Sequence, residues 1–228
     1  MSGRPLLQHS EWKELLRALK DNPTLSFIST APTPVQKLVL AAPLAISTFM
    51  VRYAPELCSL DRIRILVIGA EWLDALDNGR WYQSISDLCD SPFDLETTLV
   101  GPDLFEERDR RTTLTDMART LYPEAVIIRS GIEDATVALS YFDLFVFFQQ
   151  SIECRQRAWM KGTLPRIVKT GKPIMAAYFS RDAYAKDVRL LEACGCSAAG
   201  EPVGNPFSLQ FQGDVSGESR WGHLLYRI

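Results

Sequence analysis

Between residues 71 and 109 this 228-residue chain places eleven carboxylates and only two arginines. Glu71, Asp74 and Asp77 follow one short apolar run, and Asp103, Glu106 and Glu107 follow another. Paired carboxylates can do acid–base chemistry, but in so dense a run their simplest meaning is charge. A clustered acidic rim concentrates cationic partners and speeds their encounter. Trp72, Trp81 and Tyr82 are interleaved with the acids. They read either as aromatic anchors of an interface or as core.

The whole chain is 46% apolar and 23% charged, with a formal charge of -3. That near-average balance excludes disorder and low complexity. It also conceals an asymmetry. Residues 61–150 carry 17 acids against 8 bases, a net of -9, between ends of +2 (residues 1–60) and +4 (residues 151–228). The basic residues Arg155, Arg157, Lys161, Arg166, Lys169 and Lys172 surround Trp159. With the acidic rim opposing a phosphate backbone, they read as a solvated helix face, and nucleic acid is not an expected partner.

Other chemistry is sparse. The two histidines, His9 and His223, lie near opposite ends of the chain, and no Ser/His/Asp or Cys/His arrangement can be built on them. Cys58, Cys89, Cys154, Cys194 and Cys196 contain no CxxC pair and no neighbouring histidine, so no metal site is read and the thiols fit a reducing compartment. No catalytic residue is assigned. The turn Gly69-Ala70-Glu71-Trp72-Leu73-Asp74 has one glycine where a dinucleotide loop needs several, and its two acids repel phosphate. NAD and ATP are thereby excluded.

The elements that must position these residues follow from periodicity. A helix is expected over 10–20, where Ser10 caps an apolar stripe of Trp12, Leu15, Leu16 and Leu19. A second follows Pro34, kinks near Pro43 and closes at Pro55. Its apolar stretch, Leu38 to Val51, is about 14 residues, short of the roughly 18 that indicate a membrane span, and reads as a buried core helix. The first residues lack the basic-then-apolar pattern of a signal peptide, so a cytoplasmic protein is expected.

From residue 62 strands alternate with helices. Strands are read at 62–70, 95–100, 125–129, 142–148 and 173–178, with helices at 81–89, 110–121 and 181–194. A closing antiparallel hairpin is read from 207–211 and 223–228. Continuous apolar runs such as Arg62-Ile63-Arg64-Ile65-Leu66-Val67-Ile68 suit strands buried on both faces, and strand–helix alternation implies a parallel sheet with right-handed crossovers. The expected protein is α/β: a three-layer, mostly parallel Rossmann-like sheet over 61–228, with a C-terminal hairpin and an N-terminal helical extension over 1–60.

This order of elements resembles class I methyltransferases. The turns Gly69-Ala70, Gly101-Pro102-Asp103 and Asn205-Pro206-Phe207 are also similar to those of the C-terminal domain of the Mss51-like (mitochondrial splicing suppressor, MYND-finger) proteins. That family's His-Pro segment after the fourth strand is replaced by Gln149-Gln150-Ser151, and no MYND-type cysteine cluster precedes the domain.

Together these readings give a non-catalytic, cofactor-free interaction protein. It would hold a basic protein partner through Glu71, Trp72, Asp74, Asp103, Glu106 and Glu107, as an immunity or antitoxin factor would. The alternative is an atypical S-adenosylmethionine-dependent methyltransferase. That cofactor has no phosphates, and Gly69 and Glu71 would lie near its methionine end with Asp103 at its ribose. The usual Gly-rich loop is missing, because Trp72 and Leu73 stand where small residues are needed.

Overall fold

In a computed structural model the described residues are chiefly 6–8, 11–89, 93–102, 111–132, 135–148, 162–178 and 203–207, with short strands beyond them. The expected parallel sheet is present. Its strands are β1 (Arg62–Ile68), β2 (Asp94–Val100), β3 (Val126–Ile128), β4 (Leu144–Phe148) and β5 (Ile174–Tyr178). Four further short strands follow: β6 (Val203–Gly204), β7 (Leu209–Gln210), β8 (Ser219–Arg220) and β9 (Leu224–Arg227). The main sheet runs β3-β2-β1-β4-β5-β9-β6. β1 to β5 pair in parallel, while β9 lies antiparallel between β5 and β6.

The apolar run of β1 serves two cores at once. Ile63, Ile65 and Val67 face one layer, and Leu66 and Ile68 face the other. β4 does the same, with Leu144, Val146 and Phe148 on the first face and Phe145 and Phe147 on the second. Alternation with both faces covered is what makes these strands read as unbroken hydrophobic runs.

The N-terminal residues are more than an extension. α1 (Trp12–Ala18) and α2 (Thr33–Tyr53) bury Leu15, Leu19, Leu40, Leu44, Ile46 and Phe49 in the same cluster as β1, β2, β4 and β5. Among the described residues α2 is the one helix long and apolar enough to cross a membrane, yet 72% of its apolar window is buried inside the protein. It is the core helix its sequence implied, with Pro43 in its interior. The first helix begins at Trp12 with Glu11 as its cap residue and no side-chain cap bond. Ser10, the expected cap, lies outside the described residues.

Three further expectations are refined. The helix expected at 81–89 forms as a 3-10 segment (Leu76–Gln83) leading into α3 (Ser84–Cys89), and the one expected from 110 forms as α4 (Thr115–Leu121). The helix at 181–194 lies largely outside the described residues, whereas α5 (Thr163–Val168) precedes β5. The hairpin is re-paired. β9 docks on β5, with β6 as its outer neighbour, and Leu209–Gln210 pairs instead with Ser219–Arg220 in a separate ribbon. Asn205 guides this path: its Oδ1 accepts the Phe207 N–H at 3.0 Å, and the Phe207 ring packs edge-on against Trp12 at 5.4 Å.

Candidate functional site

In an open parallel sheet the crevice for a ligand forms beyond the carboxyl ends of the strands, where successive crossovers leave in opposite directions. Here that point lies between β1 and β4, since the chain steps outward through β2 and β3 and then returns to β4 and β5. Beyond β1 the chain turns at Gly69, whose φ of 72° is left-handed. The Gly69 and Ala70 N–H groups both donate to the Val100 carbonyl, at 2.7 and 3.0 Å. Across from them Gly101 donates to the Ile128 carbonyl at 3.2 Å. A Cβ on Gly101 would stand 2.0 Å from the Ala70 oxygen, so only glycine lets these two strand ends close. The backbone of this first turn is thus committed to the sheet, which leaves neither of these N–H groups for a phosphate.

The next turn is closed by Asp74. Its Oδ2 accepts the Glu71 N–H at 2.8 Å, its own N–H donates to the Glu71 carbonyl at 2.9 Å, and its Oδ1 accepts the Tyr82 hydroxyl at 2.8 Å. Burial, and then the Asp74 carboxylate, push the Tyr82 phenol well above its ordinary range, so the hydroxyl stays the donor of that bond. Asp74 is buried, Glu71 is half-buried, and Trp72 is exposed at the tip of the turn.

Asp77 is the best-connected carboxylate among the described residues. It accepts the Trp81 indole N–H at 2.6 Å, the Thr112 N–H at 3.1 Å, and the hydroxyls of Thr112 and Thr115 at 2.7 and 2.6 Å. The backbone reaches this geometry through three successive left-handed residues, Asp77 (φ 50°), Asn78 (φ 58°) and Gly79 (φ 67°). Asp, Asn and Gly are the residue types that tolerate this conformation best. The Asn78 carbonyl then accepts from Ala125 N–H at 3.1 Å, and Arg80 donates to the Tyr122 carbonyl and to Glu124. One tripeptide therefore ties the turn after β1 to the start of α4 and to the entry of β3. Sequence reasoning counted Asp77 only as charge. The Asp-Asn-Gly tripeptide was the available signal, because it marks a left-handed turn.

The expected interface residues are scattered by this geometry. Glu71 and Trp72 stand together at the tip beyond β1, Asp74 turns inward, and Asp103, Glu106 and Glu107 lie outside the described residues. Trp81 and Tyr82 are core, 4% and 2% exposed, with Trp81 stacked on Phe27 at 6.2 Å. Of the basic stretch, Arg155, Arg157, Trp159 and Lys161 lie outside the described residues, as do His9, His223, Cys154, Cys194 and Cys196. Among the described residues no cluster of His, Cys, Asp and Glu could hold a metal ion.

No known family profile matches the chain, and no curated protein matches it in sequence. Solved structures do. An S-adenosyl-L-methionine-dependent methyltransferase from Methanococcus maripaludis is 12% identical with a TM-score of 0.44, covering 99% of this chain and 96% of that one. A SAM-dependent methyltransferase from Streptococcus mutans is 11% identical with a TM-score of 0.41, covering 82% of this chain and 49% of that one. The plantazolicin methyltransferase BpumL in complex with a substrate analogue and SAH is 14% identical with a TM-score of 0.36, covering 80% of this chain and 70% of that one. At such identities no residue role transfers, and the Rossmann-like, methyltransferase-like fold stands on the strand order itself.

The expectation of a non-catalytic, cofactor-free partner-binder is corrected on two findings. The similar solved structures are methyltransferases, among them one holding SAH. Moreover, two carboxylates counted in the acidic rim, Asp74 and Asp77, are 8% and 7% exposed and engaged within the protein, so the solvated acidic surface on which that expectation rested is smaller than the charge count implied.

Proposed function

We propose that this chain is an S-adenosylmethionine-dependent methyltransferase of atypical first turn, acting in the cytoplasm. The observation that supports this most is the order of the sheet: five parallel strands β3-β2-β1-β4-β5 closed by one antiparallel strand inserted between β5 and β6. The resemblance to class I methyltransferases implies this arrangement and, with it, a cofactor beyond the ends of β1 and β2. The free thiols of Cys58 and Cys89 accord with a reducing compartment.

The chemistry of the first turn fits a cationic cofactor without phosphates. The Gly69 and Ala70 amides are spent on Val100, and the side chains that follow are a carboxylate and an indole. Glu71 is placed to hold an ammonium group, and Trp72 offers an aromatic face to a cation. When bound, the cofactor supplies an electrophilic methyl group on its sulfonium. The contribution of this chain is to hold that group at the strand ends, with Asp74 fixing the turn that carries Glu71 and Trp72.

Calorimetry with S-adenosylmethionine and S-adenosylhomocysteine tests the reading. Binding in the low micromolar range is expected, weakened about tenfold or more by Glu71→Ala, equivalent to about 1.4 kcal/mol. Absence of heat at millimolar ligand with a folded protein would overturn it.

A further inference from the structure

Cys58 and Cys89 belong to different layers yet meet. Cys58 lies in the short 3-10 turn Leu57–Ser59 that ends the N-terminal helical layer, and Cys89 is the last residue of α3. Their thiols are hydrogen-bonded to each other, and both side chains are half-buried against the same core. The surrounding backbones are held side by side. Ser91 Oγ donates to the Cys58 carbonyl at 3.3 Å, and Asp94 N–H donates to the Asp61 carbonyl at 2.9 Å. Closing from a thiol contact to a covalent bond of about 2.05 Å is within the reach of side-chain rotation.

We propose that Cys58 and Cys89 form a reversible disulfide that staples the N-terminal helical layer to α3 when the protein meets an oxidising low-molecular-weight disulfide such as glutathione disulfide. The Cys58 thiolate attacks one glutathione sulfur, forms a mixed disulfide and releases one glutathione thiolate. Cys89 then gives its proton to solvent, and its sulfur attacks the Cys58 sulfur and expels the second glutathione. Two protein thiols are oxidised and one glutathione disulfide is reduced to two thiols. Burial raises both thiols above their ordinary range, Cys89 to about 12. Cys58 is the less buried and makes the first attack, and the exchange accelerates as pH rises because the thiolate is the nucleophile. This device is independent of any cofactor.

The bond would close a loop of roughly 30 residues containing β1 and α3, and the resulting constraint on the unfolded chain raises Tm by about 7–15 °C. The test uses the full chain carrying Cys154→Ser, Cys194→Ser and Cys196→Ser, incubated with glutathione disulfide at about pH 8.5. Expected are the loss of both thiols, a mass lower by two hydrogens, a Cys58–Cys89 linked peptide and the raised Tm, all reversed by dithiothreitol and absent in Cys58→Ser. Should the triple variant fail to fold, peptide mapping of the oxidised native chain reads the same link. A glutathione adduct that persists on Cys58, two thiols still free at equilibrium, or a crosslink that lowers Tm would each overturn the proposal.

Discussion

Asp77, beyond the carboxyl end of β1, is 7% exposed and accepts four hydrogen bonds from its own chain. Glu96, near the amino end of β2, keeps 42% of its side chain exposed and pairs with Arg62 and Arg64 at 3.4 and 3.9 Å. Both belong to the acidic centre of the chain, yet they act differently. At the amino ends of the strands acids alternate with bases: Asp94 with Arg62, Asp143 with Lys172, and Arg64 over the Tyr141 ring at 4.5 Å. That edge is a balanced, solvated network whose pairs each contribute little. Beyond the carboxyl end of β1, Asp74 and Asp77 are structural acceptors instead. A surface count of charge treats the two edges alike, whereas their energetics differ by severalfold.

The comparison breaks most visibly at Asp77. Asp77→Ala leaves the Trp81 indole and the Thr112 and Thr115 donors without their acceptor, which costs about 3–5 kcal/mol and lowers Tm by roughly 6–20 °C in thermal unfolding. A loss below about 1 kcal/mol would show that Asp77 behaves like a surface acid. Gly79→Ala comes next. Its Cβ would stand 2.7 Å from the Ala125 Cβ and 2.9 Å from Leu99 Cδ1, at a φ of +67°. Backbone strain and overpacking together cost about 2–4 kcal/mol, readable as a shift in urea midpoint.

Alkaline titration sharpens the same contrast. Burial, then the Asp87 carboxylate, raises the Tyr122 phenol, and burial holds Cys89 at about 12 against an ordinary 9.0. The unfolded chain loses the Cys89 proton first, so the stability from this thiol is complete below pH 9.0 and is lost as pH rises toward about 12. Urea midpoints measured across that window should fall, and Cys89→Ser should flatten part of the slope. The smallest effect belongs to the exposed network: Glu96→Gln should change stability by less than about 1 kcal/mol and lose even that in high salt.

Most of the sheet was legible in the sequence. β1, β2, β3, β4 and β5 fall inside or within one residue of the expected runs, because strands buried on both faces need uninterrupted apolar residues bounded by Gly, Pro or Asp. α2 was legible for the same reason. Its apolar stretch is too short for a membrane and too uniform for a surface. The acidic residues were not. Whether Asp74 points to water or to Tyr82, eight residues on, leaves no trace in composition.

By itself, then, the sequence determined the layers, the parallel order of strand and helix, and the position of the turn at Gly69, all of which are local consequences of burial and backbone freedom. Tertiary structure decided the rest. Asp77 is an acceptor because Thr112 and Thr115, 35 and 38 residues away, are folded back onto it. β9 lies beside β5 with β6 as its outer neighbour because strand pairing is set by which edge is open, not by which segment is nearest in the chain. Long-range contacts of that kind assign each carboxylate its dielectric surroundings, and with them its role.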